Sequence, residues 1–387
     1  MNYHDDVIGV NRNIQDPLFQ SVYNVPPIKC LPEGQCQPTR HIMFLKVHKC
    51  GSTTMAKILK LATLKYKLKP LSPKKKVFFY PWKSKFDINR RKITINDANY
   101  NPNVTYDIIF NHMIFDSRVI ETMMPNDTFY IGIVREPFSQ FQSAFNFYRI
   151  SSKFNLKNST NPVVEFMKNP YRYWTDDYVT THVGFLRNAM MYAFGFPDDR
   201  NDLRNNDRFI AEYIDFLDKK FDFVIVLEML DESLVLLRRL LCWGMDDVLY
   251  VVTNKREYEY KNVKDEIAVK KHRLWSKADY QLYSHFLTKL RNTVMLQGSD
   301  FNREVSLYRQ AISALGKLLS VVSLWNEALN WAVDNLANYE IMVLAGNANE
   351  PRRYVSPASA AQAGSVAASQ IGDLLKLRRG NISMGTG

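Results

Sequence analysis

The chain reads as an α/β protein with a central parallel sheet flanked by helices, and three observations predict this. From residue 41 onward, short apolar runs alternate with helical patterns, as strands joined by covering helices do. The first such unit, "HIMFLKVHKCGSTTMAKIL" at residues 41–59, passes from an apolar strand through a polar loop into a helix. Over 387 residues, 46% are hydrophobic and 13% aromatic, enough to bury a sizeable core.

Residues 1–38 are polar, contain Pro and lack periodicity, which predicts a flexible stem. A strand is expected over 41–47 and a helix over 53–66, where Met55, Ile58, Leu59 and Ala62 follow the i, i+3, i+4, i+7 spacing of one buried face. That face lies on the sheet, so the loop before it sits at the helix N-terminus. Strands follow over 106–111 and 128–134, then a helix over 137–149 with Pro137 suited to its first turn. A strand over 221–227 and a helix over 231–243 complete the alternation. An amphipathic stripe makes 303–340 helical, and the small, polar residues of 341–387 predict a disordered, low-complexity tail. The division is therefore a stem to 38, a folded domain over 39–310, a helical extension over 311–340 and the tail.

The net charge of +12 is concentrated, since residues 65–92 hold eleven Lys or Arg against the single Asp87 and leave +2 for the rest. Such a run attracts anions. It suits a solvated basic loop or a rim that draws in an anionic cofactor or acidic glycan. No nucleic-acid recognition motif accompanies it. Four cysteines (Cys30, Cys36, Cys50, Cys242) are too few for a disulfide framework, although a local Cys30–Cys36 bridge in the Pro-rich segment is open. A zinc site from Cys36, His41, His48 and Cys50 fits no usual ligand spacing. No run of 18 apolar residues occurs and the first twenty residues show neither signal pattern nor anchor, so the chain as written reads as soluble. Sequons at Asn103, Asn126, Asn158 and Asn381 hint at the secretory pathway.

The loop between the first strand and helix holds His48, Lys49, Gly51, Ser52, Thr53 and Thr54. Backbone N–H groups, hydroxyls and a helix dipole together suit one anion, with phosphate the default guest. A nucleotide-triphosphate loop would place Lys after a second Gly; here Lys49 precedes Gly51, which counts against an ATPase or kinase. In "TFYIGIVREPFSQFQSAFNFYR", Arg135 ends a strand and Ser143 follows eight residues later, two turns along a helix. Arg135 offers a planar fork of donors and Ser143 a hydroxyl to a second phosphate.

Together the two segments resemble the cofactor motifs of sulfotransferases that use PAPS (3′-phosphoadenosine 5′-phosphosulfate). More narrowly, "LKVHKCGSTTM", "FNHMIFD", "VREPFSQFQSAF", "FLRNAMMYAFG" and "DESLVLLRRLLCWGMDDVLY" resemble, in order, segments of the galactose 3-O-sulfotransferases. The match runs from about 41 to about 310. The family loop usually reads HKTASST, so Cys50 and Gly51 replace a Thr and an Ala while the hydroxyls and Lys49 survive. The resemblance implies a P-loop-like sulfotransferase fold and transfer of a sulfuryl group from PAPS to the 3-hydroxyl of a β-galactose. The acceptor would be a galactose-terminated glycolipid or glycoprotein glycan. It also implies the Golgi lumen and membrane association through an N-terminal anchor, which this chain does not show.

In-line transfer to a sugar hydroxyl needs a base for its proton and charge stabilisation on the leaving phosphate. His112 follows "YDIIFN" at the end of a predicted strand, where open α/β sheets bind ligands, and is the expected base. His48, beside the Lys49 cation, is the worse proton acceptor and is expected as a second catalytic or positioning residue. The resemblance assigns Lys49 to the sulfate and bridging oxygen; Gly51, Ser52, Thr53 and Thr54 cradle the 5′-phosphate; Arg135 and Ser143 hold the 3′-phosphate. Arg187 and Asn188 are expected near the acceptor. No metal is required, and no D-x-D triplet of a metal-dependent glycosyltransferase occurs. The alternative is an inactive glycan- or nucleotide-binding relative; the intact Lys49, His112 and Arg135 set argues against it.

Overall fold

A computed structural model describes residues 36–73, 101, 103–175, 182–197, 201–251 and 265–321. The stem up to residue 35, residues 74–92 of the basic run, the helical continuation past 321 and the tail lie outside the described residues.

Four strands, β1 (Ile42–Phe44), β2 (Ile108–Ile109), β3 (Phe129–Val134) and β4 (Phe223–Val226), form one sheet in the order β2-β1-β3-β4. Every pairing is parallel, with Ile42 opposite both Ile108 and Phe129, and Ile131 opposite Phe223. Ile42, Met43, Phe44, Ile131, Ile133 and Val134 are fully buried, which explains runs that are apolar throughout rather than alternating. The ladder in β1 is shorter than its apolar run, yet the Leu45 N–H still donates to the Ile131 carbonyl at 2.8 Å. From β1 the chain moves to β2 on one side and then returns past β1 to β3 on the other. The reversal opens a crevice at the carboxyl ends of β1 and β3, where α/β sheets take their ligands.

Helix α1 (Ser52–Lys65) buries the expected stripe, with Met55, Ile58, Leu59 and Ala62 at 2% exposure or less. Helix α2 (Pro137–Phe147) begins at Pro137, and the Glu136 carboxylate accepts from the Phe138 and Ser139 N–H groups at 3.0 and 2.7 Å. Helices α3 (Asp207–Lys220), α5 (Glu266–Trp275) and α6 (Lys277–Met295) add to the expected set. Helix α4 (Leu230–Leu241) follows β4, and α7 (Gly298–Val321) starts five residues ahead of its predicted boundary. Helix α6 packs on β4 and α3 through Ala278, Leu282, Phe286 and Leu290, an i, i+4 stripe. Helix α7 is held to α4 by Arg239, 8% exposed, which pairs with Glu304 at 2.7 Å and Asp300 at 3.1 Å. Behind α2 a second core gathers Phe138, Phe141, Phe145, Phe166, Trp174 and Trp275.

The local Cys30–Cys36 bridge does not form. Cys36 is bonded to Cys242, 206 residues away, with the Cα atoms 6.0 Å apart. The cause is tertiary: the Thr39 N–H donates to the Leu241 carbonyl at 2.9 Å, which lays the segment before β1 against the end of α4. Cys50 is a buried free thiol, raised well above its ordinary pKa by that burial.

Candidate active site

The segment after β1 turns into α1 through two left-handed residues, Lys49 at φ 62° and Gly51 at φ 72°. Glycine adopts that conformation freely and lysine does not, so Lys49 is held there by its surroundings. A Cβ on Gly51 would also stand 2.5 Å from Leu227 Cδ1. The Ser52 hydroxyl donates to the Val47 carbonyl at 2.6 Å and is 4% exposed. Its proton therefore closes the loop. Thr53 is exposed and Thr54 half-buried. No side chain caps the N-terminus of α1, so its orphan N–H groups and dipole favour a negative guest.

Arg135, just past β3, is joined to this loop, since its Nη1 donates to the Lys49 carbonyl at 3.0 Å. Gln140 on α2 reaches the same place, with Nε2 donating to the His48 and Phe185 carbonyls at 3.3 Å each. Ser143 lies on the buried face of α2 at 3% exposure, less open than half-buried Arg135. The Lys49 ammonium rests 3.9 Å from the centre of the Phe147 ring.

His112, beyond the end of β2, meets His48 in a ring stack with centroids 3.8 Å apart and planes 13° apart. Phe185 covers the other side of His48 at 3.9 Å. His112 Nδ1 lies 2.6 Å from the Lys46 carbonyl. A carbonyl only accepts, so Nδ1 carries the proton and the lone pair is on Nε2. Burial, with the Lys46 charge, lowers the His112 pKa to about 3. A neighbouring cation thus acts on His112, through Lys46. Burial and Lys60 bring Lys46 itself down to about 8.

The carboxyl ends of three adjacent parallel strands therefore deliver His112, the His48–Gly51 loop and Arg135 to one crevice. The galactose-3-O-sulfotransferase family model matches residues 9–323 of this sequence. The chain belongs to that family. Human galactosylceramide sulfotransferase is 31% identical over 282 residues, covering 72% of this chain and 63% of the relative. The bovine enzyme of that name is 32% identical over the same length, with the same coverage. Mouse galactose-3-O-sulfotransferase 2 is 31% identical over 253 residues, 64% of this chain and 61% of the relative. The chain thus spans less than two thirds of the length of these relatives. No solved structure matches.

Two expected site residues of this family member are placed as supports. Arg187 is 3% exposed, donates from Nε to the Trp275 carbonyl at 2.8 Å and lies over Trp174 at 4.9 Å. Asn188, 1% exposed and at φ 42°, receives the Ser276 hydroxyl at 3.3 Å and the Asp279 N–H at 3.4 Å. They fasten the 182–186 turn to the α5–α6 junction, and so hold Phe185 against His48. Lys46, Gln140, Tyr148 and Phe185 were missed by sequence reasoning. Lys46 alone left a local signal, as a charged residue within an apolar strand.

Proposed function

We propose that this chain transfers the sulfuryl group of PAPS to the 3-hydroxyl of a β-galactose on a glycolipid or glycoprotein glycan. The observation that supports this reading is the bond from Arg135 to the Lys49 carbonyl across the crevice between β1 and β3. It brings two cationic anion-binding segments into one place, as a cofactor with two separated phosphate groups requires.

The residues fit such a group. The left-handed loop and uncapped α1 terminus, with Lys49, Thr53 and Thr54, would hold its 5′ end, and Arg135 its 3′-phosphate. PAPS supplies an activated sulfuryl group on a phosphosulfate anhydride. Lys49 neutralises the charge that develops on the leaving phosphate, for which its ammonium must leave the Phe147 ring. His112 is neutral across the physiological range and accepts the galactose proton at Nε2. An imidazole at about 3 is a weak acceptor. An anion beside Lys46 offsets that charge and raises His112 from there, with burial still the larger cause. Water exclusion is aided by Phe185, buried against His48.

The reading places the protein in the Golgi lumen, associated with the membrane. The Cys36–Cys242 bridge suits an oxidising compartment. Among the described residues no helix is long and apolar enough to cross a membrane, and no group of three or more His, Cys, Asp or Glu is placed to hold a metal.

The test is thermal unfolding with PAP, the desulfated product, together with turnover of labelled PAPS on galactosides. Ligand at about 100 times its dissociation constant adds about 2.7 kcal/mol of stability. The wild type should show that shift, Arg135→Ala should lose it, and His112→Ala should keep it while losing transfer. Equal loss of the shift in both variants would refute this division of roles.

A further inference from the structure

One side chain that the mechanism above does not use touches the histidine pair. Tyr148, the residue that ends α2, places its hydroxyl 3.0 Å from His48 Nδ1. Its ring stacks on Phe185 at 5.4 Å, and Phe185 stacks on His48 in turn. Tyr148 is thus braced by the same ring that braces the histidine. We propose that Tyr148 is a positioning residue that donates its hydroxyl proton to His48 Nδ1 and so fixes the His48 ring hydrogen on Nε2. This inference rests on the sulfotransferase reading for its kinetic consequence.

The two histidines hold complementary tautomers. His112 gives its Nδ1 hydrogen to the Lys46 carbonyl and keeps a lone pair on Nε2. His48, receiving from Tyr148 at Nδ1, presents N–H at Nε2. Two imidazoles stacked at 3.8 Å are thereby assigned opposite tasks: His112 accepts a proton and His48 donates a hydrogen bond. Burial raises the Tyr148 hydroxyl above its ordinary pKa, so it keeps the proton it must donate. The Tyr148 hydroxyl on the Nδ1 side of His48 distinguishes the two tautomers. A ring that presented its lone pair at Nε2 instead would lose that donor.

The experiment is nitrogen NMR of the full chain with ¹⁵N-histidine, the His48 signals being those lost in His48→Gln. In the wild type His48 should show bare Nδ1 and protonated Nε2; this arm needs no Tyr148 variant to fold. In Tyr148→Phe that preference should be lost. Turnover number should fall about tenfold, the rate equivalent of one ordinary hydrogen bond, with the KM for PAPS and the PAP thermal shift unchanged. Protonated Nδ1 on wild-type His48, or an unchanged His48 pattern in Tyr148→Phe, would overturn the proposal. If the wild type neither binds PAP nor turns over PAPS, the sulfotransferase reading fails, and the nitrogen pattern still decides what Tyr148 does.

Discussion

Replacing Lys49 by glycine and by alanine separates what its backbone costs from what its ammonium does. The residue sits at φ 62°, where a side chain with a Cβ costs about 1–2 kcal/mol. Glycine removes that strain but has more freedom to lose on folding, about 0.5–1 kcal/mol. The balance favours Lys49→Gly over Lys49→Ala by about 0.5–1 kcal/mol. Both variants lose the contact with Phe147, so that term cancels in the comparison. For a domain of this size the difference amounts to about 1–4 °C in Tm, within reach of scanning calorimetry. Both variants should lose turnover alike, by about 10²–10³ if the ammonium stabilises the leaving group as an oxyanion donor would. A glycine variant no more stable than the alanine one would show that the loop does not hold Lys49 left-handed. Retained turnover in either would remove Lys49 from the reaction.

Three further outcomes are expected. Closing a loop across 206 residues restricts the unfolded chain by about 5 kcal/mol, so the paired Cys36→Ser, Cys242→Ser variant should unfold at markedly lower urea; an unchanged midpoint would refute this. Burial lowers His112 and His272 to about 3, so between there and about 6.5 the unfolded chain binds more protons and acidification destabilises the fold. Each histidine contributes about 1.4 kcal/mol per pH unit in that window, and urea midpoints that stay level from pH 6.5 to 5 would contradict it. The sequon residues Asn103, Asn126 and Asn158 are all exposed, so protein made in a secretory host should lose mass on glycosidase treatment, in steps abolished singly by Asn→Gln; untouched mass would contradict the Golgi assignment.

Much of this was legible because it is local. The apolar stripe of α1 follows from four residues at helical spacing, and the parallel sheet follows from apolar runs that alternate with helical patterns along the chain. Helix α6 was legible in principle, since Ala278, Leu282, Phe286 and Leu290 repeat every four residues, but the polar and aromatic residues between them dilute the stripe. The candidate site residues were readable one at a time. Lys49, His112 and Arg135 could be picked by type and by position after strands, whereas the stack of His48 on His112 and the grip of Tyr148 and Gln140 join residues tens of positions apart. Ser52 shows where a local reading ends: its hydroxyl, beside the anion loop, donates to a carbonyl five residues back. Arg187 and Asn188 were singled out by resemblance, and burial gave them a supporting task. Cys36 and Cys242 could not be matched in advance, because only the fold brings the start of β1 to the end of α4.

The bridge between Cys36 and Cys242 also gives the molecule a front and a back. Strands in a parallel sheet all point one way, so the stapled segment lies at the amino edge and the crevice at the carboxyl edge. Anything tethered ahead of Cys36 pulls on the rear of the domain. On the proposed function, a bulky glycan can then approach the mouth head-on, without passing the tether, and tension on the tether is carried by a covalent bond into α4 instead of through β1 to the loop at its end.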